Sequence, residues 1–208
     1  MIKVTKTNKL LIQGLDHPTK QRVKQLLTMI NPTYQIMSAK GNMRALYAIP
    51  QFFKYYEEQG DLFIIPRGCI TLVIPLLGKF EYTDETVEQP LVEKFCSVQG
   101  FALREYQEGV PEDIASNTEG VIKLGTGFGK TLISLKLVEN IQQKTLIIVH
   151  RRAIFDQFVE ESKKWFDYDI GQIAGTKFDV KDVTVAMIDT LSKRDYESLG
   201  KKFGCVIV

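Results

Sequence analysis

Cysteine and histidine are scarce in this chain, and long apolar runs are missing. Cys69, Cys96 and Cys205 are odd in number, scattered and without metal-ligand spacing. That pattern suggests reduced thiols in an intracellular protein rather than a disulfide or zinc framework. The two histidines stand alone: His17 precedes Pro18 in a turn, and His150 has no partner of the kind a general base needs. No apolar stretch approaches the length of a membrane span, and the lysine-rich start (Lys3, Lys6, Lys9) lacks a hydrophobic region behind it. Export and membrane contact are therefore not expected. Internal repeats and low-complexity tracts are missing as well.

What is there is an ordinary globular composition, 44% apolar and 25% charged, over 208 residues, enough for two units with sizeable cores. The net charge of +2 conceals an asymmetry. Residues 1–80 hold 11 Lys/Arg against 4 Asp/Glu, and the remainder holds 16 against 21. A basic first segment suits a polyanionic partner such as nucleic acid; a solvated face is the plainer alternative.

The first unit is expected over residues 1–95 as a small α+β domain. Lys9–Ile12 reads as a strand, and Val23, Leu26, Leu27 and Ile30 set a helix over Thr19–Ile30 that Asn31-Pro32 ends. A loop bearing Lys40, Gly41, Asn42 and Arg44 follows. A second helix is expected at Gln51–Gln59, capped by Gly60, with Phe52, Phe53, Tyr55 and Tyr56 at helical spacing as core rather than as a base-stacking platform. Asp61–Ile65 reads as a strand, Pro66-Arg67-Gly68 as a turn, and Ile70–Leu77 as either helix or strand. The acidic stretch 81–94 fits a linker or an ordered surface strand.

Residues 96–208 alternate between helical and apolar strand patterns: a helix over Arg104–Asn117, strands at 120–124, 145–149 and 183–187, helices at 130–142 and 153–166, and a last apolar run at Gly204–Val208. This alternation predicts an α/β unit with a parallel sheet and helices on both faces. Within it, Leu124-Gly125-Thr126-Gly127-Phe128-Gly129-Lys130-Thr131 sits between a strand pattern and a helix pattern. Glycines there let backbone N–H groups and a helix N-terminus meet the phosphates of a nucleoside triphosphate. Lys130 would reach the β/γ-phosphates and the Thr131 hydroxyl would ligate Mg²⁺. Leu124 stands where the strict motif has glycine. Arg151 and Arg152 follow a strand, at the carboxyl edge where open α/β sheets bind ligands.

These residues converge on one family: the second unit resembles the first RecA-like domain of superfamily 2 helicases and translocases. Leu103-Arg104-Glu105-Tyr106-Gln107 resembles the Q motif, which implies Gln107, with Arg104 beside it, as the adenine-binding amide. Gly125, Thr126, Gly127, Phe128, Gly129, Lys130 and Thr131 then correspond to the phosphate loop, in a version that accommodates Leu124. Ile148–Arg152 with Asp156-Gln157-Phe158 is similar to motif Ia, and Thr184–Leu191 to a later strand whose Thr190 would touch backbone phosphate; Gly175 falls in the intervening turn. Asp189 departs from the glutamine more usual there.

Gly204–Val208 is similar to the strand that delivers the acidic pair of motif II. The pair is expected at 209–210, in a longer polypeptide with a second RecA-like domain. The first unit, through Asn31-Pro32-x-Tyr34, Lys40-Gly41-Asn42 and Ile65–Gly68, resembles the small DNA-sensing domain of phage branch-migration and repair-type helicases. Lys40, Arg44 and Arg67 would then contact phosphates.

The resemblance implies an ATP- and Mg²⁺-dependent DNA helicase or translocase on branched or forked DNA, in a bacterial or phage-infected cytoplasm. The 208 residues are expected to bind nucleotide without turning it over. Two alternatives stay open: a helicase subunit of a restriction or conflict system, and a non-motor nucleic-acid-binding module with a regulatory phosphate loop.

Overall fold

The computed structural model describes residues 1–86, 89–92, 97–98, 100–194 and 196–208, the side chains of 45, 196 and 197 apart. The chain divides into two compact units, Met1–Val87 and Glu88–Val208. The boundary expected at 95–96, and with it Cys96, lies outside the described residues.

Alternating apolar residues build the first sheet. Strands β1 (Ile2–Lys6) and β2 (Lys9–Gln13) form an antiparallel pair. Helix α1 (His17–Leu26) follows, its N-cap Asp16 accepting from the Thr19 N–H at 2.8 Å, and stops four residues short of Ile30. The expected last turn is instead strand β3 (Thr28–Ile30). Asn31 then caps a new helix, α2 (Pro32–Ala39), and a short turn leads to α3 (Met43–Ala48), which carries Arg44. The chain returns as β4 (Phe52–Lys54), antiparallel to β3. After β5 (Glu57–Gln59) and β6 (Leu62–Pro66), a 3₁₀ turn at Arg67–Cys69 opens α4 (Ile70–Leu77), so the ambiguous run is helical.

The helix expected at Gln51–Gln59 does not form. Its aromatics match a helical period, yet aromatic side chains also suit extended backbone, and β3 and β6 supply ladders that an isolated helix lacks. Gly60 (φ +62°) turns the β5–β6 hairpin instead of capping a helix. Of the four aromatics only Tyr56 joins the core, stacked on Phe63 at 5.3 Å; Phe52, Phe53 and Tyr55 are exposed.

Strand β7 (Phe80–Asp84) takes the start of the acidic stretch and pairs parallel to β1, setting Glu81 against Lys3 (4.0 Å) and Asp84 against Lys6 (3.4 Å). The order is β5-β6-β2-β1-β7. Its register aligns Val4 with Ile12, Ile12 with Phe63 and Leu10 with Ile65, and these close on Val23 and Leu27, and on Val73 and Leu77 of α4. Each such side chain, fully buried, contributes about 1.5–3 kcal/mol.

In the second unit the helix expected over 104–117 is broken. Glu105–Gln107 is a 3₁₀ turn, Gly109 adopts φ +78°, and α5 spans only Val110–Ala115. Residues 120–124 join no ladder among the described residues, and Val121 is 99% exposed. Helix α6 (Lys130–Ile141) precedes β8 (Thr145–Val149), α7 (Arg152–Trp165), β9 (Ile170–Ala174), β10 (Lys177–Asp179) and β11 (Val183–Met187). Helices α8 (Ile188–Leu191) and α9 (Tyr196–Gly200) lead to β12 (Cys205–Ile207).

The order is β10-β9-β11-β8-β12, parallel throughout except for the antiparallel edge strand β10. Alternate residues go to opposite faces. Ile147, Val149, Val183 and Val185 pack against Leu135 and Val138 of α6 and Phe155 and Phe158 of α7. Leu146 and Ala186 pack against Leu191, Leu199 and Phe203 on the other side. Burial on both faces explains why these strands read as continuous apolar runs. No helix among the described residues is long and apolar enough to cross a membrane.

Candidate functional site

Glycine dictates the shape of the 125–131 loop. Gly127 (φ +79°) and Gly129 (φ +90°) adopt backbone angles that other residues rarely reach, and the Phe128 N–H donates to the Gly125 carbonyl at 3.3 Å. Gly129 is the N-cap of α6 and offers no side-chain cap; the first helical bond runs from Ile133 N–H to the Gly129 carbonyl. The N–H groups of Lys130, Thr131 and Leu132 thus lack helical acceptors and carry the positive end of the helix dipole. Lys130 is exposed, and its Nζ donates to the Gly125 carbonyl at 2.7 Å. Thr131 is buried.

The 104–107 turn is bolted to this loop. Gln107, 3% exposed, accepts through Oε1 from the Arg104 N–H at 2.9 Å and donates through Nε2 to the Phe128 carbonyl. A Cβ at Gly129 would stand 2.5 Å from Gln107 Nε2 and would displace that amide from the Phe128 carbonyl. Tyr106 lies edge-on to Phe128 at 5.1 Å, and its hydroxyl accepts from Arg104 Nη1 at 2.8 Å. Tyr106, which the sequence places in the 103–107 motif without giving it a role, is half-exposed and presents a ring beside the loop. The signal for a role was its place one residue before Gln107. A cavity of about 1370 Å³ opens beside the loop, lined by Thr126, Gly127, Gly129, Lys130 and Thr131 together with apolar residues of 121–124, β8 and β12.

The parallel register gathers a second group. Strands β8, β9 and β11 end on one edge of the sheet, followed respectively by Arg151, Gly175 and the turn bearing Thr190. Gly175 (φ +58°) turns the β9–β10 hairpin, and its N–H donates to Thr190 Oγ1 at 3.0 Å. Two residues fifteen positions apart are thereby joined. Arg152 differs from its neighbour. Its Nε donates to Asp156 at 2.9 and 3.1 Å, and its guanidinium lies over the Phe155 ring at 4.9 Å. Arg151 is exposed and makes no ion pair among the described residues.

Lys40, Arg44 and Arg67 all belong to the first unit, on the α2–α3 turn, on α3 and in the 3₁₀ turn after β6.

The family of the type III restriction enzyme res subunit matches residues 99–208, just over half of the chain. The chain belongs to this family. It is a superfamily 2 helicase family, and the mostly parallel sheet is consistent with a RecA-like region. Among individual relatives, the DNA 3'-5' translocase XPB2 of Sulfurisphaera tokodaii is 36% identical over 105 residues, half of this chain and 24% of that protein. Probable helicase D10 of Escherichia phage T5 is 34% identical over 109 residues, 52% of this chain and 24% of its own. A protein of Acanthamoeba polyphaga mimivirus that carries the name of an ATP-dependent RNA helicase, L396, is 26% identical over 203 residues, 93% of this chain and 37% of its own. The chain therefore spans between a quarter and two-fifths of the length of these relatives.

Superfamily 2 helicases use ATP and Mg²⁺ in general. The phosphate part of that ligand fits the residues present: an uncapped helix start, two glycines at positive φ and an exposed ammonium. For the ion the donor set is thin. No group of three or more His, Cys, Asp or Glu that could hold a metal occurs among the described residues, which leaves the Thr131 hydroxyl next to phosphate oxygens.

Proposed function

We propose that this chain is the ATP-binding part of a DNA helicase or translocase that acts on branched or forked DNA in replication, recombination or repair. The observation that carries the reading is the glycine loop closed by Gln107: one amide ties the adenine-reading turn to the phosphate loop. In this reading Arg104 and Gln107 receive the base, the Gln107 amide exchanging its Arg104 and Phe128 partners for the adenine edge, and the 125–130 backbone with Lys130 receives the phosphates. Lys130 exchanges its Gly125 carbonyl for a phosphate oxygen, a stronger charge-assisted partner. Mg²⁺, when bound at Thr131, would neutralise charge developing on the phosphates. Arg151, Gly175 and Thr190 at the strand ends, with Arg152 held beside them, meet the backbone of the tracked strand. Lys40, Arg44 and Arg67 supply further phosphate contacts from the basic first unit.

The test is ATP binding and hydrolysis measured with no nucleic acid, then with single-stranded, duplex and forked DNA. Stimulation greatest with forked DNA is the expected result. Within these 208 residues nucleotide binding without steady turnover is expected, and hydrolysis above a Lys130→Ala control would contradict it. A response to RNA alone would move the substrate, a direction the mimiviral relative's name makes worth testing. Binding without stimulation by either would leave the regulatory module.

A further inference from the structure

The excursion between β3 and β4 has no core of its own. Of its described side chains, residues 28–55, only Asn31 is buried. Asn31 clasps the excursion where the ribbon meets its tip: its N–H donates to the Gln51 carbonyl and its Nδ2 to the Pro50 carbonyl, both at 2.9 Å, and its Oδ1 accepts from the Thr33 N–H. The two-stranded ribbon lies before this clasp, and two short helices lie beyond it at the tip. Isolated ribbons of this kind are marginal in water, and apolar residues spread on one invite a ligand.

The exposed apolar residues are mostly aromatic. Strand alternation puts Phe53 and Tyr55 on one face, with Met29 opposite Phe53, and the Tyr55 N–H extends the ladder by donating to the Leu27 carbonyl. Phe53 is 40% exposed and Tyr55 43%. Their ring centroids are 6.4 Å apart and tilted by 50°, so neither ring covers the face of the other. At the tip, Tyr47 of α3 is 89% exposed.

Charge selects the partner. From residue 17 to residue 56 there is no Asp or Glu, against six Lys/Arg. Glu58 holds Lys20 at 3.1 Å and Lys24 at 2.6 Å. Lys40, Arg44 and Lys54 make no ion pair among the described residues. At the root of the ribbon a shallow cleft is lined by Gln21, Arg22, Lys24, Gln25, Thr28 and Tyr56. A ligand matched to this surface carries regular negative charge and flat apolar faces together. Unpaired nucleotides do; duplex DNA hides its base faces within the stack.

We infer that the β3–β4 ribbon is a single-strand platform: unpaired bases stack on Phe53 and Tyr55 while Lys40 and Arg44 meet the sugar-phosphate backbone. This deepens the proposed function and rests on it in one respect, that the first unit meets nucleic acid. It makes the single-stranded arm of a fork, rather than its duplex, the part that the unit grips.

The experiment is fluorescence anisotropy of the whole chain, without nucleotide, against a labelled thymidine dodecamer, the matching duplex, an abasic strand of equal length and vesicles containing phosphatidylserine. Phe53→Ala and Tyr55→Ala are each expected to weaken strand binding about tenfold, within the range alanine substitution gives for base stacking. Phe53→Tyr keeps the affinity, duplex binding moves less than about twofold, and the abasic strand binds wild-type protein poorly. Unchanged thermal unfolding would show that the exposed positions leave the fold alone. Strand binding that ignores both substitutions overturns the platform while leaving the helicase reading intact. Equal losses for strand, duplex and abasic strand overturn it in favour of general electrostatics. Vesicle binding abolished by the same variants, with strand binding untouched, reassigns the surface to membranes. If no nucleic acid binds wild-type protein, the platform falls and so does DNA contact by the first unit, whereas ATP binding would still stand.

Discussion

The phosphate loop and the β3–β4 ribbon are both surface features, but they are held in opposite ways. Around the loop, Gln107 donates to the Phe128 carbonyl, the Phe128 N–H and Lys130 both donate to the Gly125 carbonyl, and α6 anchors the loop to a core buried on both faces of a sheet. The ribbon buries one asparagine and leaves its rings and cations outward. On the readings proposed above, the difference teaches that a site for one small, highly charged ligand is pre-shaped by internal bonds. A surface proposed for a long polymer instead leaves its groups unspent, because a polymer supplies many weak contacts in place of one geometry.

The comparison breaks first at the cores. Phe63→Ala should cost about 3–5 kcal/mol, since Phe63 is fully buried under Tyr56 and between Ile12 and Glu58 in the ladder. Chemical denaturation should show the loss, strand binding should go with it, and ATP binding should persist. Next, Lys130→Ala removes the one ammonium at the loop. Nucleotide affinity should fall by about 1.5–3 kcal/mol, read by titration with a fluorescent ATP analogue, with strand binding unmoved. Gln107→Ala should be milder, about 1 kcal/mol of stability for lost hydrogen bonds, together with a narrowed preference for ATP over GTP in competition.

The smallest effect is acid sensitivity. Thr86 and Lys6 hold the Asp84 carboxyl at about 2, and the Asp16 and Glu58 carboxyls are also lowered, by Thr19 and by Lys24 with Lys20. A lowered folded value means stability that is present above the ordinary carboxylate range and lost as pH falls through the folded values. Thermal unfolding of the first unit should therefore drop modestly between pH 4 and pH 2, regions set by these carboxylates. A midpoint that stays flat over that interval would show that these exposed contacts contribute nothing.

Much of this was legible in the residues. The candidate phosphate loop is local, its glycines and Lys130 within eight positions, so spacing alone delimits it. The parallel α/β layout followed from apolar runs buried on both faces. What misled was whatever depends on a neighbour. Residues 120–124 have strand chemistry, but a strand exists only beside a partner. Phe52 to Tyr56 fit a helical period, yet the ladder that captures Phe52 and Phe53 comes from Thr28–Ile30, more than twenty residues earlier. Likewise the Gly175–Thr190 bond is made by sheet register, and the pairing of Arg152 with Asp156 distinguishes it from Arg151 in a way that two adjacent letters do not.

Asn31 has a consequence for how such a chain diversifies. Nineteen or so residues hang from one amide clasp, and nothing in the core behind it records their number or their identity. The segment from 32 to 50 is thus an exchangeable cassette. Lengthening, shortening or rewriting it changes what the first unit meets, and leaves untouched the sheet that must fold before it can meet anything.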